Sequence, residues 1–242
     1  MPEITFKTEF PYWGQIPKPV PASKALPEWY KNIGPNIGPS TVLEDNLYDK
    51  GATIKTCVPV RDLLMSGYII PLWEELFTEQ HSPDSERVFA FATSSDQKMQ
   101  GLYGSQVSRH GASQFKGSPM DKAVRGTRAP KISCPWNFYT PSGYSTLFIA
   151  PQYRENKIEI LPAIVDTDVW HSVQFPFLYK GIKKKDIIKV DTPVIQVIPF
   201  KRESWTSNLE LETEPKGRQL YGIWTKIQHG YKKNFSKKKS FR

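Results

Sequence analysis

Short apolar runs, cut by Pro, Gly and Asp, crowd the stretch from Pro135 to Ser204. It reads PWNFYTPSGYSTLFIAPQ, then IEILPAIVDTDVWHSVQFPFLYK, then IIKVDTPVIQVIPFKRES. Runs of this length between turn residues predict β-strands that meet in a common core. One strand is expected after Thr140-Pro141-Ser142-Gly143, one over Ile158–Val165, and one opening at Thr192-Pro193-Val194.

The pattern before this core is looser. Residues 3–8 alternate polar and apolar and predict a strand. Pro11, Pro17, Pro19 and Pro21 then block helix and inner-strand pairing, so an extended arm is expected. SKALPEWYK allows one or two helical turns starting near Pro27, with Trp29 and Tyr30 as anchors. Thr56–Met65 predicts a helix, capped by Thr56, carrying Pro59 in its first turn and stopped by Gly67. Strands are expected over Tyr68–Trp73 and Arg87–Ala92, joined by a polar loop over Thr78–Glu86.

Ser94–Ala129 has no strong periodicity and reads as a long loop. After the core, Ser207–Lys216 is acidic, and Leu220, Ile223, Trp224 and Ile227 recur at helical spacing. The expected organisation is a Pro-rich arm over 1–55, a β-rich core over 56–206, and a C-terminal amphipathic helix with a basic tail over 207–242.

Composition fits one sizeable domain with decorations. Of the 242 residues 38% are hydrophobic and 13% aromatic, enough to bury a core. The 21 Pro and 15 Gly favour turns over long helices. No run approaches the roughly 20 apolar residues of a membrane span. MPEITFKTEF has no apolar segment of the secretory type, so the cytoplasm, or an assembly built there, is the expected location. Cys57 and Cys134 make no disulfide framework and are expected to be buried thiols.

Charge is uneven. Lys232, Lys233, Lys237, Lys238, Lys239 and Arg242 supply six of the net +9, which leaves +3 for the rest. Such a tail suits nucleic acid or an acidic partner, or else is a solvated end. The 94–129 stretch is also basic, with Tyr103 and Phe115 interleaved, which suits single-stranded nucleic acid or a surface loop.

Candidate chemistry lies in the core. Asp166 and Asp168 follow an apolar strand, where a rigid carboxylate can orient a water. Asp also favours turns, because its carboxylate accepts from local N–H groups. Ser142 and Gly143 precede a strand, and Gln196 sits where its amide can read a base or amide. The four His and two Cys have no zinc spacing, and no Walker loop or nucleophile elbow occurs, so no metal and no cofactor are expected.

The series Pro141-Ser142-Gly143, Ile164-Val165-Asp166-Thr167-Asp168 and Asp191-Thr192-Pro193-Val194-Ile195-Gln196 resembles the dUTPase and dCTP deaminase family. The spacings are 25 residues from Pro141 to Asp166 and 30 from Asp166 to Gln196. The resemblance implies a β-clip or jelly-roll-like sandwich, often trimeric. It puts Asp166 in the water-activating place and Gln196 by the third motif. The family's Arg between Pro and Ser is missing here, as is its Gly-rich C-terminal motif.

A second resemblance spans more of the chain. PKPVPASKALPEWYK, KTCVPVRDLLMSGYIIPL and PWNFYTPSGYSTLFIAPQ through VIQVIPFKRESW resemble an uncharacterised family of tailed phages, notably cyanophages, and some bacteria. It implies one integrated fold and a phage or phage-like origin, in host cytoplasm or virion. Three functions are therefore expected in turn: a non-enzymatic structural or assembly protein contacting other subunits, a dUTPase-like nucleotide-binding protein or hydrolase, and a nucleic-acid-binding accessory protein.

Overall fold

A computed structural model describes residues 1–9, 12–36, 53–80, 89–93, 106–111, 113–125, 129–181, 185–211, 231, 233 and 235–241. Among these, fourteen strands form four antiparallel sheets, with three short α-helices. The protein is mainly β, with a sandwich-like core. No helix among the described residues is long and apolar enough to cross a membrane.

The chain groups into two units. The first is Met1–Pro21 with Gly67–Arg202 and holds every strand among the described residues; the second is Ala22–Ser66 with Glu203–Arg242.

The strands of the first unit are β1 (Thr5–Lys7), β2 (Val20–Pro21), β3 (Tyr68–Pro71), β4 (Leu76–Gln80), β5 (Phe89–Thr93), β6 (Val107–Arg109) and β7 (Pro130–Ser133). They continue as β8 (Asn137–Tyr139), β9 (Tyr144–Ile149), β10 (Ile158–Ile160), β11 (Ala163–Val165), β12 (Gln174–Tyr179), β13 (Lys185–Ile188) and β14 (Pro193–Lys201). The largest sheet has the order β11-β9-β14-β3-β2. A second runs β10-β12-β7-β6, a third β13-β4-β5, and β1 pairs with β8.

Side-chain alternation explains the core. In β12 (QFPFLY) Phe175, Phe177 and Tyr179 point inward and the residues between them do not. Phe138, Phe148 and Phe175, from β8, β9 and β12, meet edge to face with ring centres 4.9, 5.2 and 6.1 Å apart. In β14 the continuous run Val194–Val197 is buried, as expected for a strand covered on both faces. Its Pro199 pairs only with β9, beyond the last β3 partner at Val197, so no ladder bond to β3 is lost.

Several sequence expectations need correction. Ile158–Val165 is not one strand. It breaks at Leu161-Pro162, and β10 and β11 join different sheets, because Pro162 has no N–H to continue a ladder. Thr78–Gln80 is not loop but the end of β4, where buried Thr78 donates to the Tyr179 hydroxyl at 3.2 Å. The strand expected over Arg87–Ala92 is β5, shifted to Phe89–Thr93. Cys57 is exposed and only Cys134 is buried. Within the long 94–129 loop, Val107–Arg109 is strand and Asp121–Arg125 is helix α3.

In the second unit, α1 (Glu28–Asn32) follows Pro27 and buries Tyr30, whereas Trp29 is exposed. Lys55 Nζ donates to the Lys31 and Ile33 carbonyls at 2.8 and 2.9 Å, which satisfies the end of α1. Helix α2 (Val58–Met65) starts two residues later than Thr56 and has no side-chain cap. Thr56 instead donates to the Thr53 carbonyl at 2.8 Å, closing a preceding 3-10 turn. The amphipathic helix expected from Leu220, Ile223, Trp224 and Ile227 lies outside the described residues, as do Lys232 and Arg242.

Candidate functional site

Three element ends meet at one rim of the large sheet. The turn Pro141-Ser142-Gly143 opens β9, with Gly143 at φ +82°, a conformation open to glycine. β11 ends at Val165, and the chain then closes a turn in which the Val169 and Trp170 amides both donate to the Asp166 carbonyl at 2.9 Å. β14 ends at Lys201, paired with Tyr144, so Arg202 comes level with Gly143 and its amide donates to the Gly143 carbonyl at 2.8 Å.

Arg202 organises this rim. Its Nη1 and Nη2 donate to Asp168 Oδ1 and Oδ2 at 2.8 and 2.5 Å, a two-pronged geometry that suits guanidinium and carboxylate. Nη1 also donates to the Tyr144 carbonyl at 3.1 Å and lies 3.2 Å from Asp166 Oδ1. Asp168 accepts a further bond from the Gly143 amide at 2.8 Å, and Asp166 accepts one from the Ser145 hydroxyl at 2.6 Å. The Arg202 guanidinium, helped by the Gly143 amide, holds the Asp168 carboxyl down at about 2.

Beneath the clasp lies a cluster of hydroxyls. Thr167 is fully buried, and its Oγ1 is 2.8 Å from Thr140 Oγ1 and 2.7 Å from Thr146 Oγ1. Thr140 also donates to the Tyr144 carbonyl at 3.3 Å. His171 Nδ1 faces the Thr167 and Phe138 carbonyls at 3.0 and 3.2 Å, so this nitrogen carries the proton. Its ring stacks on Tyr139 at 3.9 Å, and Lys7 Nζ sits 4.3 Å from the centre of the Tyr139 ring on β8.

Asp166, Asp168 and Gly143 are thus brought together, and Ser142 is exposed on the same turn. Gln196 is not part of the cluster. It is buried in β14, six residues before Arg202, on the order of 20 Å along the strand. Arg202, Ser145 and the three threonines were not legible as site residues. Arg202 stands in the basic pair Lys201-Arg202, and nothing local marks a partner 34 positions away.

Chemically this arrangement locks a turn. A carboxylate with three donors and a low proton affinity does not exchange protons near neutrality. Asp166 is more open, with its side chain 62% exposed against 6% for Asp168. No group of three or more His, Cys, Asp and Glu that could hold a metal ion occurs among the described residues.

The locked turn displays apolar groups outward. Val169 and Trp170 are exposed, as is Ile164 on the neighbouring strand β11. Of the basic tail, Lys233, Lys237, Lys238 and Lys239 are described and exposed. Lys239 Nζ donates to Asp62 Oδ2 of α2 at 2.5 Å. Together with Arg61, Lys237 and Lys238 it lines a cleft of about 460 Å³ in the second unit. Neither a protein-family model nor a curated protein matches this chain.

Proposed function

We propose that this chain is a non-catalytic structural or assembly protein, of phage-like type, that contacts other subunits through side chains on a rigid β framework. One observation carries this reading. The Asp166–Trp170 turn is held by Arg202, Gly143, Ser145 and the threonine cluster, and it presents Val169 and Trp170 to solvent. Fixed aromatic side chains at the surface are the anchors on which protein interfaces concentrate their energy. The carboxylates that a hydrolase would use are engaged in holding that turn.

Trp170→Ser tests this. The variant keeps its melting temperature and is lost from the particle or complex in which the wild-type chain sediments at fixed stoichiometry. Nucleotide turnover that Asp166→Asn abolishes would overturn the reading in favour of the dUTPase-like one.

The tail supports a second reading, nucleic-acid binding. Lys237 and Lys238 are exposed beside Arg61 in one cleft. Phosphate contacts make such binding fall steeply with salt. Lys237→Glu with Lys238→Glu removes salt-sensitive binding to single-stranded DNA on this reading, and unchanged binding excludes it.

A further inference from the structure

The cleft of about 460 Å³ lies wholly within the second unit. One wall is a strip of α2. Arg61 and Asp62 stand four and three positions before Met65, the spacing that puts helix side chains together. The 3-10 turn Ala22–Lys24 adds Ser23, and residues 236–241 close the remaining side.

A single carboxylate orders two of the cations. Asp62 accepts from Lys239 Nζ at 2.5 Å and from Arg61 Nη2 at 3.1 Å. The Lys239 ammonium, with help from Arg61, holds the Asp62 carboxyl below the ordinary carboxylate range, so it stays ionised. An anion entering here therefore meets a negative charge already neutralised, beside two cations already fixed.

The other groups are not engaged. The exposed Lys237 and Lys238 ammonium groups have no acidic partner among the described residues. The Ser23, Ser236 and Ser240 hydroxyls likewise have no partner there. Among the described lining residues Asp62 is the one acid against four cations, which leaves a surplus of three positive charges.

Size selects among anions. The volume falls in the small-molecule range of about 300–1,000 Å³, so it suits a compact anion rather than a length of strand. A single strand carries one charge per nucleotide, whereas a triphosphate concentrates several charges in one short chain. Phosphate oxygens accept from guanidinium, ammonium and hydroxyl groups alike. Met65 and the half-buried Phe241 give the same cleft an apolar part, on which a nucleobase can rest.

We infer that this cleft is a binding site for a phosphate chain, the triphosphate of a nucleotide or inorganic triphosphate. Lys237 and Lys238 pair with its charges, the serine hydroxyls donate to its oxygens, and Asp62 positions Arg61 and Lys239 for it. This rests on the second reading above, of the tail as a phosphate-binding element, and names the anion it takes.

The experiment is isothermal titration calorimetry on the full-length chain. The probes are inorganic triphosphate, adenosine triphosphate, orthophosphate and a single-stranded oligonucleotide with hydroxyl ends. Wild type is expected to take one triphosphate per chain, about tenfold or more tighter than orthophosphate. Lys237→Gln with Lys238→Gln is expected to weaken it about tenfold or more, and melting verifies that the variant folds. Asp62→Asn separates a positioned site from a loose cluster of cations. Removing a negative charge tightens binding to a loose cluster, whereas a site ordered by Asp62 binds more weakly. Adenosine triphosphate bound more tightly than inorganic triphosphate assigns the nucleotide as the source, and equal affinity assigns the phosphate chain alone. No saturable triphosphate binding, binding unchanged in the double lysine variant, or tighter binding by a folded Asp62→Asn variant would overturn the inference. If the oligonucleotide still binds in a lysine-dependent way, the tail reading stands without it. If neither probe depends on the lysines, both readings fall.

Discussion

Asp168 and Arg202, 34 positions apart, meet through two hydrogen bonds of 2.8 and 2.5 Å that tie the end of β14 to the turn after β11. The pair joins two segments that share no backbone ladder, since β9 lies between β14 and β11. It fixes where the chain leaves the sheet.

This pair makes stability depend on acid. The Asp168 carboxyl is lowered from 3.8 to about 2 on folding. Its contribution is therefore complete above about pH 4 and is lost as pH falls through 2, because the unfolded chain takes up the proton first. Asp168→Asn is expected to melt well below wild type at pH 7, with the gap closing towards pH 2. Thermal melts across that range measure it, and a gap independent of pH contradicts it.

Thr167→Val keeps the shape and removes one hydroxyl. Half-buried Thr140 and buried Thr146 each lose a partner, at 2.8 and 2.7 Å. The cost is expected at about 1–3 kcal/mol. Urea unfolding measures it, and a change within error would show that the cluster is not coupled to folding.

Gly67→Ala is expected to be more damaging than its size suggests. Gly67 has φ +67°, and an added methyl runs into the Val197 carbonyl oxygen of β14. The left-handed conformation alone costs a non-glycine residue about 1–2 kcal/mol, and the backbone clash adds to it. Loss of soluble expression, or a fall of more than about 2 kcal/mol in urea unfolding, is the outcome to look for.

The two thiols separate by reactivity. Burial pushes Cys134 up to about 12, whereas Cys57 is exposed at the start of α2. Labelling with a maleimide at mildly alkaline pH is expected to modify Cys57 rapidly and Cys134 only in denaturant. Mass spectrometry of the digested protein reads the difference.

Much of the fold was legible because strand chemistry repeats every two residues. The strands at Tyr144–Ile149 and Pro193–Lys201, the break at Gly67 and the turn at Asp166 follow from local pattern. What escaped depends on distant partners. Thr78 reads as loop until Tyr179, 101 positions away, accepts its hydroxyl proton. Asp166 and Asp168 are visible as a pair, but their role is set by Arg202, which periodicity does not connect to them. The exposure of Cys57 likewise depends on which side of α2 is buried within the second unit, and Val58 and Leu64 are the residues buried there.

The crossing at Leu161-Pro162 has a mechanical consequence. β10 and β11 belong to different sheets and are separated by only these two residues. The two sheets are thereby joined by a two-residue link, so opening of one pulls directly on the end of the other. Amide hydrogens of β9 and β12 are then expected to exchange through a single shared opening, with one free energy for both sheets.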